Sequence, residues 1–275
     1  MKDISLKDLL EAGCHFGHKV ERWHPKAAAF IFQEREGLHI IDLAKTREGL
    51  KSASEFILQL SKEGKNILFV ATKRQAKGVV TDAAKRAGIP YMTNRWIGGF
   101  ITNWEQVVKN IQKLTTMRKE KEDGSWSKFP KHEIVALDKT LRKVDAVYGG
   151  VSQLTGKPDA IFIIDIKKEV ASLREAMQYG IKIAAIVDTN ADPNLVDFPI
   201  PANDDAVGSI KFITDYLADA YMEGKKMAEK KEIKNARLLD GQEKLKIKKE
   251  KEEVQEKTEE KKEEKPKKRG RKKKA

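Results

Sequence analysis

The sequence predicts an α/β protein built on a parallel sheet with helices on both faces, extended by a helical hairpin and a low-complexity tail. Three observations predict it. Short apolar runs at 65–72 (KNILFVAT), 159–165 (DAIFIID) and 181–188 (IKIAAIVD) alternate with segments of helical period, the alternation that a parallel sheet requires. Two stretches within 103–150 instead space their apolar residues by three and four, the seam of packed helices. After about Gly224 the chain turns to lysine and glutamate with few apolar residues, too little to bury for folding alone.

Taken in order, the opening MKDISLKDLLEAG is amphipathic and of mixed charge. It has neither the basic start nor the apolar core of a signal peptide, and no apolar run reaches the roughly 18 residues of a membrane span. AAFIFQEREGLHIIDL reads as two short strands around a turn at Gly37, followed by a helix over 45–63 with Leu50, Phe56, Ile57 and Leu60 inward. The run 65–72 is a buried strand, and RQAKGVVTDAAKRAG a helix stopped by Gly88. PYMT is a short strand. Trp104, Val107, Ile111 and Leu114, then Ile134, Leu137, Leu141, Val144 and Tyr148, mark two helices joined through DGSWSKFPK. They form an antiparallel hairpin, either projecting from the sheet or packed on it as an ordinary helix pair. The strand 159–165, a helix over 168–179 closing at Gly180, the strand 181–188 and a helix over 206–222 complete the pattern. The domain organisation expected is thus 1–224 as the α/β domain with 103–150 inserted as the hairpin, and 225–275 as a largely disordered tail.

Charge is informative once located. Residues 225–275 carry 22 of the 55 Lys+Arg and 12 of the 42 Asp+Glu, so the folded part holds 33 against 30. Any affinity of that part for a polyanion must come from clustering rather than total charge. The tail, ending in PKKRGRKKKA, reads as a non-specific RNA-binding arm or a solvated extension, and its KRGRKKK also resembles a minor-groove DNA arm. The single cysteine, Cys14, forms no internal disulfide, which suits a reducing cytoplasm.

Four stretches carry candidate chemistry. CHFGHKVERWHPK (14–26) places Arg22, Trp23 and Lys26 as nucleic-acid contacts, with Cys14, His15, His18 and His24 nearby. A zinc site needs four converging ligands and usually a second ligand pair, which the stretch lacks. His15 and His18 would share a helix face, but Gly13 and Gly17 argue against a regular helix. ATKRQAKG has no phosphate-binding glycines; it sets Lys73 and Arg74 at a helix N-terminus, where they contact phosphate or stand solvated. In NRWIGGFITNW (94–104), Arg95 offers a donor fork and Trp96 a flat ring, Gly98 and Gly99 admit a close backbone, and Asn103 is placed to cap the next helix. Taken alone, Trp96 as core and the glycines as a tight turn is the stronger reading. In the rigid, proline-rich 187–205 stretch, Asp188, Asp204 and Asp205 either hold a hydrated Mg²⁺ or, for the last two, stabilise a helix N-terminus. No nucleophile–base pair is visible.

With these segments assembled, the chain resembles the bacterial small-subunit ribosomal protein S-two family from about Leu6 to Tyr221. The resemblance is carried by GCHFGHKVERWHPK, GLHIIDLAKT, FVATKRQA, RWIGGFITNW, FIIDIKKE and AIVDTNADPNLVDFPIPANDDA. Ala71 and Ala191 depart from residues common in that family. The resemblance implies a flavodoxin-like parallel sheet with a projecting hairpin and no catalytic activity or required cofactor. It also implies partners: small-subunit ribosomal RNA, other ribosomal proteins of that subunit including ribosomal protein S-one, and no membrane. The expected location is cytoplasmic, on the ribosome. The readings set against it are a metal-dependent α/β enzyme using the 188–205 acids, and a DNA-binding protein acting through its tail.

Overall fold

The structure is a computed structural model, and it describes residues 3–230. Chain contacts set Met1–Lys226 apart as one compact unit, and all that follows concerns it. Of the tail expected over 225–275, residues 231–275 lie outside the described residues.

The main sheet has five parallel strands: β4 (Ile67–Val70), β5 (Tyr91–Met92), β6 (Ala160–Ile164), β7 (Lys182–Val187) and β8 (Phe198–Pro201). Their spatial order is β5-β4-β6-β7-β8, the doubly wound order of a flavodoxin-like sheet, which reverses direction between β4 and β6. Alternation along the strands builds two cores. Ile67, Phe69, Phe162, Ile164 and Ile186 face a layer formed by α2 (Leu43–Lys62), α3 (Arg74–Ala87) and α7 (207–226 within this unit), while Leu68, Val70, Ile161, Ile163 and Val187 face α6 (Val170–Gln178) and the loop holding Phe100. Both faces are covered, so these strands are apolar throughout. α3 ends as expected, on Gly88 in the left-handed conformation (φ 66°).

Two elements escaped the sequence reading. FPIP reads in sequence as part of a rigid loop, yet it is β8, an edge strand parallel to β7. Proline is tolerated there because the outer edge has no ladder partner to lose. α2 covers this strand with Phe56 stacked on Phe198 at 4.3 Å. Gly49 makes the approach possible, since a Cβ there would lie 2.5 Å from the Pro199 carbonyl oxygen. The other missed strand is β1 (Phe16–Lys19), which pairs antiparallel with β3 (Leu38–Ile41), itself paired with β2 (Ile31–Arg35). β2 and β3 join through Glu36 and Gly37, both at positive φ (53° and 76°), the two-residue turn whose twist matches antiparallel strands.

The hairpin comprises α4 (Trp104–Glu122) and α5 (Lys131–Tyr148). Its spacing served two cores. Val107 and Ile111 join the sheet-facing cluster, whereas Leu114, Met117 and Leu141 form a separate cluster with Ile134, Leu137 and Val144. Trp126, in the connecting segment, is buried in that second cluster and donates its indole N–H to Glu120 at 3.2 Å. The distal half therefore packs on itself, not on the sheet. Asn103 does not cap α4 with its side chain; only its carbonyl accepts, from Val107 N–H at 3.4 Å.

Candidate nucleic-acid interface and the crevice beside it

The loops leaving the carboxyl ends of β4, β6, β7 and β8 meet at the crevice where an open α/β sheet normally receives a ligand. This crevice is filled by the protein's own charges. The Lys73 ammonium lies 2.8 Å from Asp204, 2.7 Å from Asp205 and 3.2 Å from Asp165. Its side chain is only 12 % exposed. Burial opposes its charge, but hydrogen bonds to Asp204 and Asp205 and the Asp204 and Asp165 charges outweigh it and raise the lysine pKa well above its ordinary value. One ammonium cannot neutralise every acid present. Burial, then repulsion from Asp188 and Asp165, pushes the Asp204 carboxyl up to about 7 despite Lys73. Beside it, Glu169 is buried and accepts from Thr72 N–H at 3.1 Å and from the Thr72 hydroxyl; burial raises its pKa too.

His18 closes the cluster from the small sheet. Its Nδ1 is 3.1 Å from Asp188 and its Nε2 3.7 Å from Asp205. The hydrogen bond to Asp188 raises its pKa, against a smaller effect of burial. Residues 16–19 are a strand and not a helix, and His15 lies in the turn before it, so the two histidines share no helix face. His15 takes no part in the cluster: its Nδ1 is buried without a partner and burial lowers its pKa. Cys14 is buried in the core, which raises its thiol pKa. Among the described residues, His18, Asp188 and Asp204 are the one group whose donor atoms converge, all within 4.8 Å of one another. This set does not suit hydrated Mg²⁺, which takes oxygen ligands in an octahedron. One donor is an imidazole nitrogen, and Lys73 already occupies the Asp204 and Asp205 oxygens. Asn203 Oδ1 accepts from Asp205 N–H at 2.8 Å and Ala206 N–H at 3.1 Å in the turn that precedes α7.

The 14–26 stretch docks onto the loop after β7. Thr189 accepts His18 N–H at its hydroxyl (2.9 Å) and His24 N–H at its carbonyl (2.8 Å), and Lys26 pairs with Asp192 at 2.7 Å. Trp23 is 41 % exposed and tilts 5.6 Å from the buried His39 ring. Arg22, Arg74 and Arg95 are exposed and, among the described residues, have no ion-pair partner.

Loop 94–103 is held by a residue that sequence reasoning missed. Glu175 on α6 accepts from the Trp96 indole N–H (3.1 Å), Gly99 N–H (2.8 Å) and Ile101 N–H (3.0 Å). Trp96 is buried against Phe100, so it shapes the loop. A Cβ at Gly98 would meet nothing within 4 Å, so no backbone approaches there; Gly99 is required for its positive φ of 84°. A glutamate on a helix whose inner face is otherwise apolar gave the only sequence signal of this clamp.

These features define a class: a flavodoxin-like α/β protein whose sheet crevice is closed by internal ion pairs, with unpaired arginines around it. The comparisons carry the assignment further. The family model described as "Ribosomal protein S2" matches residues 9–224, and the chain belongs to that family of structural, non-enzymatic ribosomal components. Three proteins described as "Small ribosomal subunit protein uS2" are similar to it. That of Coprothermobacter proteolyticus is 48 % identical over 225 residues, covering 82 % of this chain and 84 % of the relative. That of Koribacter versatilis is 42 % identical over 243 residues (88 % and 81 %). That of Cytophaga hutchinsonii is 44 % identical over 254 residues (92 % and 99 %). No helix among the described residues is long and apolar enough to cross a membrane.

Proposed function

We propose that this protein is a structural constituent of the small ribosomal subunit that binds ribosomal RNA and neighbouring ribosomal proteins during translation, in the cytoplasm. The observation that carries the RNA part is the set of exposed, unpaired arginines, Arg22, Arg74 and Arg95, of which Arg74 opens α3 and Arg95 stands on the loop held by Glu175. Guanidinium groups on a rigid frame suit phosphate recognition, because little side-chain and loop entropy is lost on binding. Lys73 and Lys26 are committed to carboxylates and serve mainly to position these loops. Trp23, half exposed beside Arg22, is the ring available for stacking. The protein partners include ribosomal protein S-one, a reading that rests on the family resemblance alone.

Sucrose-gradient fractionation tests the assignment: the chain should co-migrate with small subunits, and a persistently free monomeric pool would refute it. Binding to small-subunit ribosomal RNA should weaken steeply with salt, and salt-insensitive binding would remove the phosphate part.

A further inference from the structure

Arg95 stands between two pinned neighbours. On one side Asn94 donates to the Ala146 carbonyl at the end of α5 and accepts from Lys77 Nζ at 3.5 Å. On the other, Trp96 is fixed by the Glu175 clamp. Lys77 lies three residues after Arg74 on α3, so the two share a helix face. Across β4, Lys168 Nζ reaches the Thr72 carbonyl at 3.5 Å, two residues before Arg74. Arg95, the Arg74–Lys77 pair and Lys168 thus follow the carboxyl ends of β5, β4 and β6, three adjacent strands spaced about 4.8 Å apart. Among the described residues none of the four has a carboxylate partner within ion-pair distance.

We propose that Arg95, Lys77, Arg74 and Lys168 form a phosphate track for one strand of RNA along this edge of the sheet, and that Glu175 is the positioning residue for its Arg95 end. The inference rests on the RNA-binding reading and specifies where the backbone runs. Its chemistry is that of spaced cations without an exposed ring, since Trp96 is buried. Such a track reads backbone and not base. The Glu175 carboxylate is bidentate: one oxygen serves Trp96 and Gly99, the other Ile101. Glutamine at this position keeps one acceptor and turns an amide donor toward a backbone donor, releasing one side of the loop.

The test measures the affinity of the full chain for purified small-subunit ribosomal RNA across a salt series, for wild type, K77A, K168A, E175Q, R95A and E175Q/R95A, with urea midpoints as the folding control. Each lost phosphate contact flattens the slope of log K against log salt by about 0.7 to 0.9. K77A and K168A should each show that loss with unchanged midpoints, and E175Q should remove most of the R95A effect, leaving the double variant no weaker than R95A. Unchanged slopes for K77A and K168A would overturn the track while RNA binding itself stands. Additive losses in E175Q/R95A would overturn the role of Glu175. A wild-type chain that binds without salt dependence would overturn the underlying reading as well. Should E175Q unfold, the two lysine variants still decide the track.

Discussion

Replacing Lys73 with methionine isolates the charge at the centre of the crevice, because methionine keeps most of the apolar stem. The three carboxylates left behind differ in exposure: Asp204 2 %, Asp165 12 % and Asp205 51 %. Asp205 is hydrated enough to lose little. Asp204 is the expensive one, since a buried charge stripped of its partner costs about 3–5 kcal/mol. The protein has an escape, which is to bind a proton at Asp204. The wild type already holds a proton at Asp204 below about pH 7, so at pH 5 this acid is neutral with or without the lysine and its part of the loss disappears. At pH 8 it is ionised in the wild type, and protonating it there costs about 1.4 kcal/mol for the one pH unit above that value. The expected destabilisation of Lys73→Met is therefore about 1–2 kcal/mol at pH 8, and smaller at pH 5. Urea unfolding followed by tryptophan fluorescence at both values measures it. A variant as stable as wild type at pH 8, or a loss that grows on acidification, would refute the assignment of Lys73 as counter-ion to a buried acid.

The wild type should itself lose stability between about pH 4 and 8. Asp204, raised to about 7, binds more protons folded than unfolded across that window, and His18, also raised, stabilises the fold below its free value and ceases to do so as pH climbs through its folded one. A melting temperature higher at pH 8 than at pH 5.5 would contradict both. Gly150→Ala should destabilise strongly, by about 1–3 kcal/mol or more, because its Cβ would sit 2.3 Å from the Tyr91 carbonyl oxygen and 2.8 Å from that ring; an unchanged urea midpoint counts against the close packing of the hairpin base on β5. Leu141→Ala should cost about 2 kcal/mol, the low end for a small cluster, and should increase hydrogen exchange in the distal hairpin while β4 and β6 stay protected. Uniform loss of protection would show that the hairpin has no core of its own.

The legible parts of the fold were those where one local rule acted alone. Strands buried on both faces announced themselves as apolar runs, and the Gly88 stop and the heptad seam of 104–148 follow from backbone conformation and period. The missed parts were decided by distant partners. Phe16–Lys19 contains a glycine, Gly17, and shows no alternation, and becomes a strand because β3 pairs with it while Thr189 accepts from His18. Phe198–Pro201 looks like a loop until β7 and α2 bracket it. At the site, Arg22 and Arg95 were legible because exposed arginine beside a turn is a local pattern. The fates of Lys73 and Trp96 were not, since their partners, Asp165, Asp204 and Glu175, lie some 75 to 130 residues away. A cation at a helix start says nothing of which way its charge is drawn.

That difference bears on how such a fold becomes a binding protein. A doubly wound sheet offers a crevice at its switch point, and a phosphate ligand there needs cations or backbone donors left free. Here the loop after β4 has no glycines to bare its N–H groups, and its first cation turns inward to Asp165, Asp204 and Asp205. The same ion pairs join the loops after β4, β6 and β8, and His18 adds the small sheet to them through Asp188. Closing the crevice thus removes a small-molecule site and stiffens the rim in one step. On the proposed function, what remains for a polyanion is the outer edge, where Arg74 opens α3 and Arg95 stands on a loop held by Glu175. A large polyanion that touches many points weakly gains most from such stiffness, because each contact is then made without ordering a loop.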